Sequence, residues 1–284
     1  MIAAGRISVV VPSFNQGRFL AATLQSLVSQ ADPDLEILLV DGGSTDGSVD
    51  VIRRYEKHLA WWTSQKDDGQ SDALGIGFAR ATGEWLAWLN SDDLLLPGAM
   101  KHWREHIARD PQRSWWIGGG YFIDAMGRRL GSYTPPVALT SPAQLSDWRT
   151  HWFAQPGTLF SRALFDRAGG TVRKDLHYAM DLELWLRFLQ HAAPGLIADE
   201  LSAYRIHEAA KTGVLRVPAE MEIMRVLMDA LGAERAMDRV ACIAADRLEY
   251  QLKWQRLQAL VDPVFQPALR LRAAWRRLTG GRAR

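Results

Sequence analysis

Residues 36–48 read Glu36-Ile37-Leu38-Leu39-Val40-Asp41-Gly42-Gly43-Ser44-Thr45-Asp46-Gly47-Ser48. A branched, apolar run stops on an aspartate, and a turn rich in glycine, serine and aspartate follows it. This is a strand (Glu36–Asp41), a tight loop and the start of a helix at about Ser48–Tyr55. On the N-terminal side, Gly17–Gln30 spaces Phe19, Leu20, Leu24 and Leu27 as a helix does, and Ile7–Pro12 is a second short apolar run. Together they form one βαβ unit. On the C-terminal side the alternation continues with a strand near Ala60–Ser64, a helix near Gln70–Ala81 and a strand at Trp85–Asn90. Apolar strands separated by helices imply a mostly parallel central sheet flanked by helices on both faces, an α/β fold.

Beyond Asp110-Pro111 the alternation loosens. Trp115–Asp124 reads as a strand, and Tyr133–Trp148, rich in proline, serine and threonine, reads as loop. Helical spacing returns at Tyr178–His191. From Pro218 to Val261 nearly every residue favours helix, with Met221, Met224, Leu227, Met228 and Leu231 on one face. The expected division is an α/β domain over 1–215, with halves 5–110 and 111–215, followed by a C-terminal helical region over 216–284.

The 284 residues are 48% hydrophobic and 23% charged, the composition of a globular body able to bury a full core. A net charge of +2 is too small for nucleic acid to be the main partner, which needs a concentrated basic surface. The single cysteine, Cys242, has no internal partner, and Met1 leads into Ile7–Val11 without a signal-peptide pattern. With no apolar stretch near 18 residues, the expected location is cytoplasmic. The tail adds a second expectation: Val264, Ala268, Leu271, Trp275 and Leu278 form a stripe among Arg270, Arg272, Arg276, Arg277, Arg282 and Arg284. Such a basic helix fits peripheral contact with the inner face of a membrane or packing on the protein body with a solvated arginine face. The chain holds 12 tryptophans, whose indole faces fill cores or stack on sugars.

In an open parallel sheet, ligands sit beyond the carboxyl ends of the strands. Those ends read Pro12-Ser13-Phe14-Asn15, then Asp41-Gly42-Gly43, then Asn90-Ser91-Asp92-Asp93. Asp41 leaves a buried run, where an unpaired carboxylate is costly, so a nucleobase or ribose is a fitting partner, the alternative being that it caps the next turn or helix. Asp46 and Ser48 are ordinary turn and cap residues. Asp92 and Asp93 repel one another unless a cation holds them or they cap the next turn; oxygen ligands suit Mg2+ or Mn2+. A dinucleotide fingerprint is missing after the first strand: Pro12-Ser13-Phe14-Asn15-Gln16-Gly17 lacks the glycines, and no Walker loop or pyrophosphorylase loop occurs.

The segments 9–15, 40–48 and 81–93, with Asp68-Gly69-Gln70-Ser71-Asp72-Ala73 between them, resemble the successive signatures of family 2 inverting glycosyltransferases. The resemblance covers roughly residues 5–212 and implies the GT-A fold, a Rossmann-like nucleotide-binding half (5–110) and an acceptor-binding half (111–215). It implies that Pro12, Phe14, Asn15, Asp41, Gln70, Asp72, Asn90 and Asp92 bind the nucleotide. Asp92 and Asp93 match the end of the DxD-type motif, and Tyr204-Arg205-Ile206-His207-Glu208-Ala209-Ala210-Lys211 resembles the late motif. A metal shell of Asp92, Asp93 and His207 follows, with Arg205 and Lys211 on the diphosphate. Tyr178-Ala179-Met180-Asp181-Leu182-Glu183 resembles the general-base segment, with Asp181 as base and Glu183 as the alternative. The chain departs from the family pattern at Asn90, Met180 and Ala210.

The implied function is metal-dependent, inverting transfer of a sugar from a nucleoside diphosphate, UDP by default, to a glycan or lipid-linked acceptor, as in cell-surface polysaccharide synthesis. The competing reading is a degenerate, glycosyltransferase-like nucleotide-binding scaffold.

Overall fold

The computed structural model describes residues 2–208, 210–211, 216–241, 243–245, 248, 251–253 and 255. The chain divides into two compact units, Met1–Ala236 and Met237–Arg284. In the second, the described residues from 237 onward are helical. The basic stripe expected over 264–284 lies outside the described residues. Among the described residues no helix is long and apolar enough to cross a membrane.

The first unit opens with β1 (Ala3–Ser13), α1 (Gly17–Val28), β2 (Leu35–Asp41), α2 (Ser48–Tyr55), β3 (Trp61–Ser64), α3 (Gln70–Arg80) and β4 (Gly83–Trp88). All four strands are parallel, in the spatial order β3-β2-β1-β4. Alternation along β1 explains why a continuous apolar run makes a central strand. Val9 and Val11 join Leu20, Leu24 and Leu27 of α1 on one face, while Val10 joins Leu74 and Phe78 of α3 on the other. Each such side chain contributes roughly 1.5–3 kcal/mol on full burial. Gly77 of α3 lies directly on β1: an added Cβ would sit 2.3 Å from Val10 Cγ1.

The second half continues with β5 (Leu94–Leu95), α4 (Ala99–Arg109), β6 (Trp115–Ile123), β7 (Arg129–Tyr133), α5 (Trp148–His151), β8 (Thr158–Ser161), α6 (Arg162–Arg167), α7 (Met180–Leu189), β9 (Gly195–Arg205) and α8 (Arg216–Leu231). Antiparallel β8 joins β4 to β6, and β9 then pairs parallel with β6. Two reversals restore the direction, so β6 and β9 run the same way as β1–β4. The carboxyl end of β9 therefore arrives at the same sheet edge as those of β1, β2 and β4. The Tyr133–Trp148 stretch holds one 3-10 turn, Pro142–Ser146, entered through a capping box of Ser141 and Gln144.

Most tryptophans with described side chains fill the core. Trp185 of α7 stacks between Trp88 and Trp115, at centroid distances of 5.4 and 5.8 Å. This ties α7 to the sheet. Val226 and Leu227 of α8 and Ala236 lie in the same core, so α8 belongs to the first unit.

Candidate active site

The register Ser13↔Asp41 and Val10↔Trp88 aligns three strand ends at one edge, where a cavity of about 570 Å3 opens. Pro12, Phe14, Gln70, Asn90, Asp92, Asp93, Asp181, Arg205 and Lys211 line it. Asn15, Asp41, Asp72 and His207 stand outside that lining.

Those four have partners within the protein. The Asp41 carboxylate, fully buried, accepts from Ser44 N–H at 2.9 Å, Ser44 Oγ at 2.5 Å and Ser64 Oγ at 2.7 Å. The loop after β2 thus satisfies the charge that the sequence assigns to a base or ribose. Asn15 adopts φ +52°, a conformation that asparagine tolerates better than most residues. Its N–H donates to Ser44 Oγ at 2.7 Å and its Oδ1 accepts from Thr45 N–H at 2.9 Å. Asn15 therefore clasps the loops after β1 and β2 together. Asp46 accepts from Gly17 N–H at 2.8 Å and Ser48 N–H at 3.1 Å, joining the starts of α1 and α2. Asp72 accepts from Asp68 N–H at 3.2 Å and pairs with Lys174.

A chain of hydrogen bonds crosses the cavity wall. Lys211 Nζ donates to Gln70 Oε1 at 2.9 Å, Gln70 Nε2 to Asn90 Oδ1 at 2.7 Å, and Asn90 Nδ2 to Asp93 Oδ2 at 3.2 Å. Asp93 Oδ1 accepts the Arg205 backbone N–H at 2.8 Å. Both oxygens of Asp93, expected as a metal ligand, are thus engaged by the protein. Burial, and then the Asp92 charge beside it, push its carboxyl well above the usual range. Thr23 Oγ1 lies 2.9 Å from the Ser91 carbonyl and 2.8 Å from that of Asp93, holding the loop's shape.

Asp92 is placed differently. Its Oδ2 lies 3.0 Å from His207 Nε2, and the imidazole packs on Phe19 with centroids 4.7 Å apart. Arg205 Nε donates to the Asp92 carbonyl at 2.7 Å, and its guanidinium lies over Phe19. Burial lowers the Arg205 pKa from its ordinary value. Among the described residues no three candidate ligands cluster closely enough to cage an ion. The donor set is a carboxylate and an imidazole.

Asp181 occupies the first turn of α7, where its Oδ1 accepts the Leu182 N–H at 2.7 Å. Burial raises its carboxyl above the ordinary range. Glu183 instead forms a two-pronged pair with Arg187 at 2.9 and 2.8 Å and does not line the cavity. Lys211 also donates to the His177 carbonyl at 3.2 Å, and burial lowers its ammonium pKa. The site thus offers the raised carboxyls of Asp93 and Asp181, two cations with lowered pKa and a carboxylate–imidazole pair around one cavity.

Sequence reasoning missed several wall residues. Burial raises the Asp67 carboxyl, with Asp72, Asp41 and Asp68 adding to it, and the residue fits because Gly42 has no side chain. Its only signal was a position ahead of α3. Gln155, which donates to the Trp88 carbonyl at 2.9 Å and sits 3.4 Å from Asn90 Nδ2, had none. Trp152, Phe153 and Tyr204 form an aromatic side of the cavity.

The description "Glycosyl transferase family 2" matches residues 8–169. Among curated proteins, "Uncharacterized glycosyltransferase EpsJ" of Bacillus subtilis (strain 168) is 26% identical over 227 residues, covering 75% of this chain. The chain spans 64% of EpsJ, and 30–65% of the first curated relatives it matches. Among solved structures, S. aureus TarS 1-349 with UDP-GlcNAc shares the fold at a TM-score of 0.65 and 17% identity, over 82% of this chain and 70% of that one. The mannosyltransferase PcManGT from Pyrobaculum calidifontis, with GDP-Man and Mn2+, has a TM-score of 0.61 and 18% identity, over 91% and 81%. The fold is that of GT-A glycosyltransferases, and the chain belongs to glycosyl transferase family 2.

Proposed function

We propose that the chain moves a sugar from a nucleoside diphosphate donor, UDP by default, to a hydroxyl of a glycan or lipid-linked acceptor, inverting the anomeric carbon. The observation that carries this reading is that one cavity joins Pro12, Phe14, Gln70, Asn90 and Asp92 to Asp181, Arg205 and Lys211. The nucleotide sugars and Mn2+ bound to the similar solved structures support the same donor class and metal.

In this mechanism Asp181 takes the acceptor's hydroxyl proton as that oxygen bonds to the anomeric carbon. The bond from that carbon to the donor phosphate oxygen breaks, and the diphosphate leaves with the electron pair. Arg205 and Lys211 stabilise the charge that develops on it. Lys211 directs its charge at Gln70 and the His177 carbonyl, both neutral, and a diphosphate is a better partner for that ammonium. Asp92 and His207 are the residues that would hold Mn2+ or Mg2+. When bound, the ion neutralises charge on the leaving diphosphate. Trp152 and Tyr204 offer stacking faces for a glycan acceptor. Cell-surface polysaccharide synthesis at the cytoplasmic face of the membrane is the corresponding setting.

The test is thermal stabilisation by a panel of nucleoside diphosphates, each with and without Mn2+, for the wild type and Asp92→Ala. A metal-dependent shift for one nucleotide, lost in the variant, is expected. No shift with any nucleotide would leave the degenerate scaffold as the better reading.

A further inference from the structure

α7 starts without a side-chain cap at the residue before it: Ala179 stands there, and within the first turn Asp181 accepts the neighbouring Leu182 N–H. A helix start leaves backbone N–H groups without intrahelical partners. Just ahead of this start, the backbone amides find their partner on another helix. Glu222 of α8 accepts from the N–H groups of His177 at 3.0 Å, Tyr178 at 2.6 Å and Ala179 at 2.7 Å. Those three amides lead directly into the turn that carries Asp181.

Other contacts hold the segment further upstream. Arg225 of α8 donates to the Asp175 carbonyl at 3.3 Å and its carboxylate at 3.1 Å, and Ser71 of α3 donates to the Leu176 carbonyl at 2.6 Å. Lys174 pairs with Asp72. The contact next to Asp181 is the one made by Glu222, and α8 lies beyond residues 8–169, which the family description matches. We propose that Glu222 is a positioning residue for Asp181: its carboxylate, on α8, holds the three amides that lead into α7 and so sets where Asp181 faces the cavity.

The proposal rests on the reading of Asp181 as the base. A negative charge at a helix start also has an electrostatic side. The groups facing Asp181 are the Leu182 N–H of its own helix, Glu222 of α8, and Lys211 of the segment after β9. Burial raises the Asp181 carboxyl most, Glu222 adds to the rise and Lys211 opposes it. A base whose pKa is closer to the working pH takes a proton more effectively. Glu222 thus both places the carboxylate and keeps it basic.

The experiment compares the wild-type chain with Glu222→Gln, Glu222→Ala and Asp181→Asn. It reads amide hydrogen exchange at Tyr178 and Ala179, the titration of the Asp181 carboxyl by NMR, and release of nucleoside diphosphate to water from a panel of nucleotide sugars. Both Glu222 variants are expected to exchange those amides about tenfold faster. Removing the charge in Glu222→Gln moves the Asp181 midpoint to lower pH. Turnover falls roughly tenfold to a hundredfold while nucleotide binding stays unchanged. Unchanged exchange would overturn the contact. Faster exchange with an unmoved Asp181 midpoint and full turnover would reduce Glu222 to an ordinary backbone contact and overturn its positioning role. Full turnover in Asp181→Asn would overturn the base assignment itself, an outcome that loss of the Glu222 contact cannot imitate.

Discussion

His207 Nε2 stands 3.0 Å from Asp92 Oδ2, although the two residues are separated by most of the second half of the fold. The pairing follows from topology: β9 runs in the direction of β4, so the residues after both strands meet at one edge. Phe19 packs on the imidazole and the Arg205 backbone is pinned by Asp93, so neither partner is free to drift. In the proposed function this carboxylate and imidazole would hold a divalent ion. His207→Ala is expected to weaken Mn2+ binding about tenfold or more, with binding of the nucleotide alone retained. Calorimetric titration of Mn2+ in the presence of UDP checks it, and equal Mn2+ affinity in the variant would remove His207 from the shell.

The raised carboxyl of Asp181 gives a pH dependence of defined sign. As the proposed general base, Asp181 works only when ionised, so the acid limb of the turnover profile is expected above the ordinary aspartate value of 3.8. Asp181→Asn is expected to cost roughly a hundredfold or more in turnover with nucleotide binding intact. The stability consequence runs the other way. Because the folded chain holds the Asp181 proton more tightly than the unfolded chain, wild-type stability falls as pH rises through the interval between the two pKa values. Asparagine has no such loss. The variant should therefore melt above the wild type at neutral pH, with the gap closing below the ordinary aspartate range. A gap of constant size from acid to neutral pH would contradict the raised carboxyl.

The first half of this fold is legible because its strands are buried on both faces and separated by helices of clear spacing. Ile7–Pro12, Ser48–Tyr55 and Gln70–Ala81 coincide with elements or differ from them by a few residues. The second half hides its strands. β5 has two residues and β8 follows Gln155-Pro156-Gly157, whereas β6 is legible as the strand Trp115–Asp124 although it carries Gly118-Gly119-Gly120. Those glycines admit neighbours: an added Cβ at Gly118 would lie 2.4 Å from Leu201 Cδ1. Strand ends are equally legible as site edges, but their partners are only partly so. For Asp41 the turn that follows is a legible alternative partner, but nothing in Asn15 announces its bond with Thr45, and Glu222 is one acidic residue in a helix that tolerates many.

Trp152 differs from the buried tryptophans. It is 41% exposed, lines the cavity, and is backed by Phe122 at a centroid distance of 5.8 Å and an interplanar angle of 26°. An aromatic pair of this kind is worth roughly 0.5–1.5 kcal/mol, and a braced indole gives a flat, rigid face for a sugar ring. Trp152→Ala is expected to raise the acceptor KM about twofold to tenfold, within that range, while donor affinity and release to water are unchanged. Steady-state kinetics with a glycan acceptor and with water separate the two. An equal fall in both would make Trp152 a support of the fold rather than an acceptor contact.

Gly77 tests how the α3 wall of the cavity is built. α3 lies on β1 with no side chain between Gly77 and Val10, and a Cβ there would stand 2.3 Å from Val10 Cγ1 and 3.0 Å from its Cγ2. The valine is buried on a central strand and has no room to turn away. Gly77→Ala gains helix propensity of up to about 1 kcal/mol, but overpacking a closed core costs about 1–3 kcal/mol. The overpacking term is expected to win, lowering the denaturant midpoint. The helix can relieve the clash only by lifting from the sheet, and its first residue is Gln70, which joins Lys211 to Asn90. Nucleotide stabilisation should therefore fall together with stability. Gly131→Ala in β7 is the control, since an added Cβ there meets nothing within 4 Å. It should leave both quantities within error of the wild type. A Gly77→Ala protein as stable as Gly131→Ala would mean that α3 has freedom to shift on the sheet that the close contact with Val10 denies.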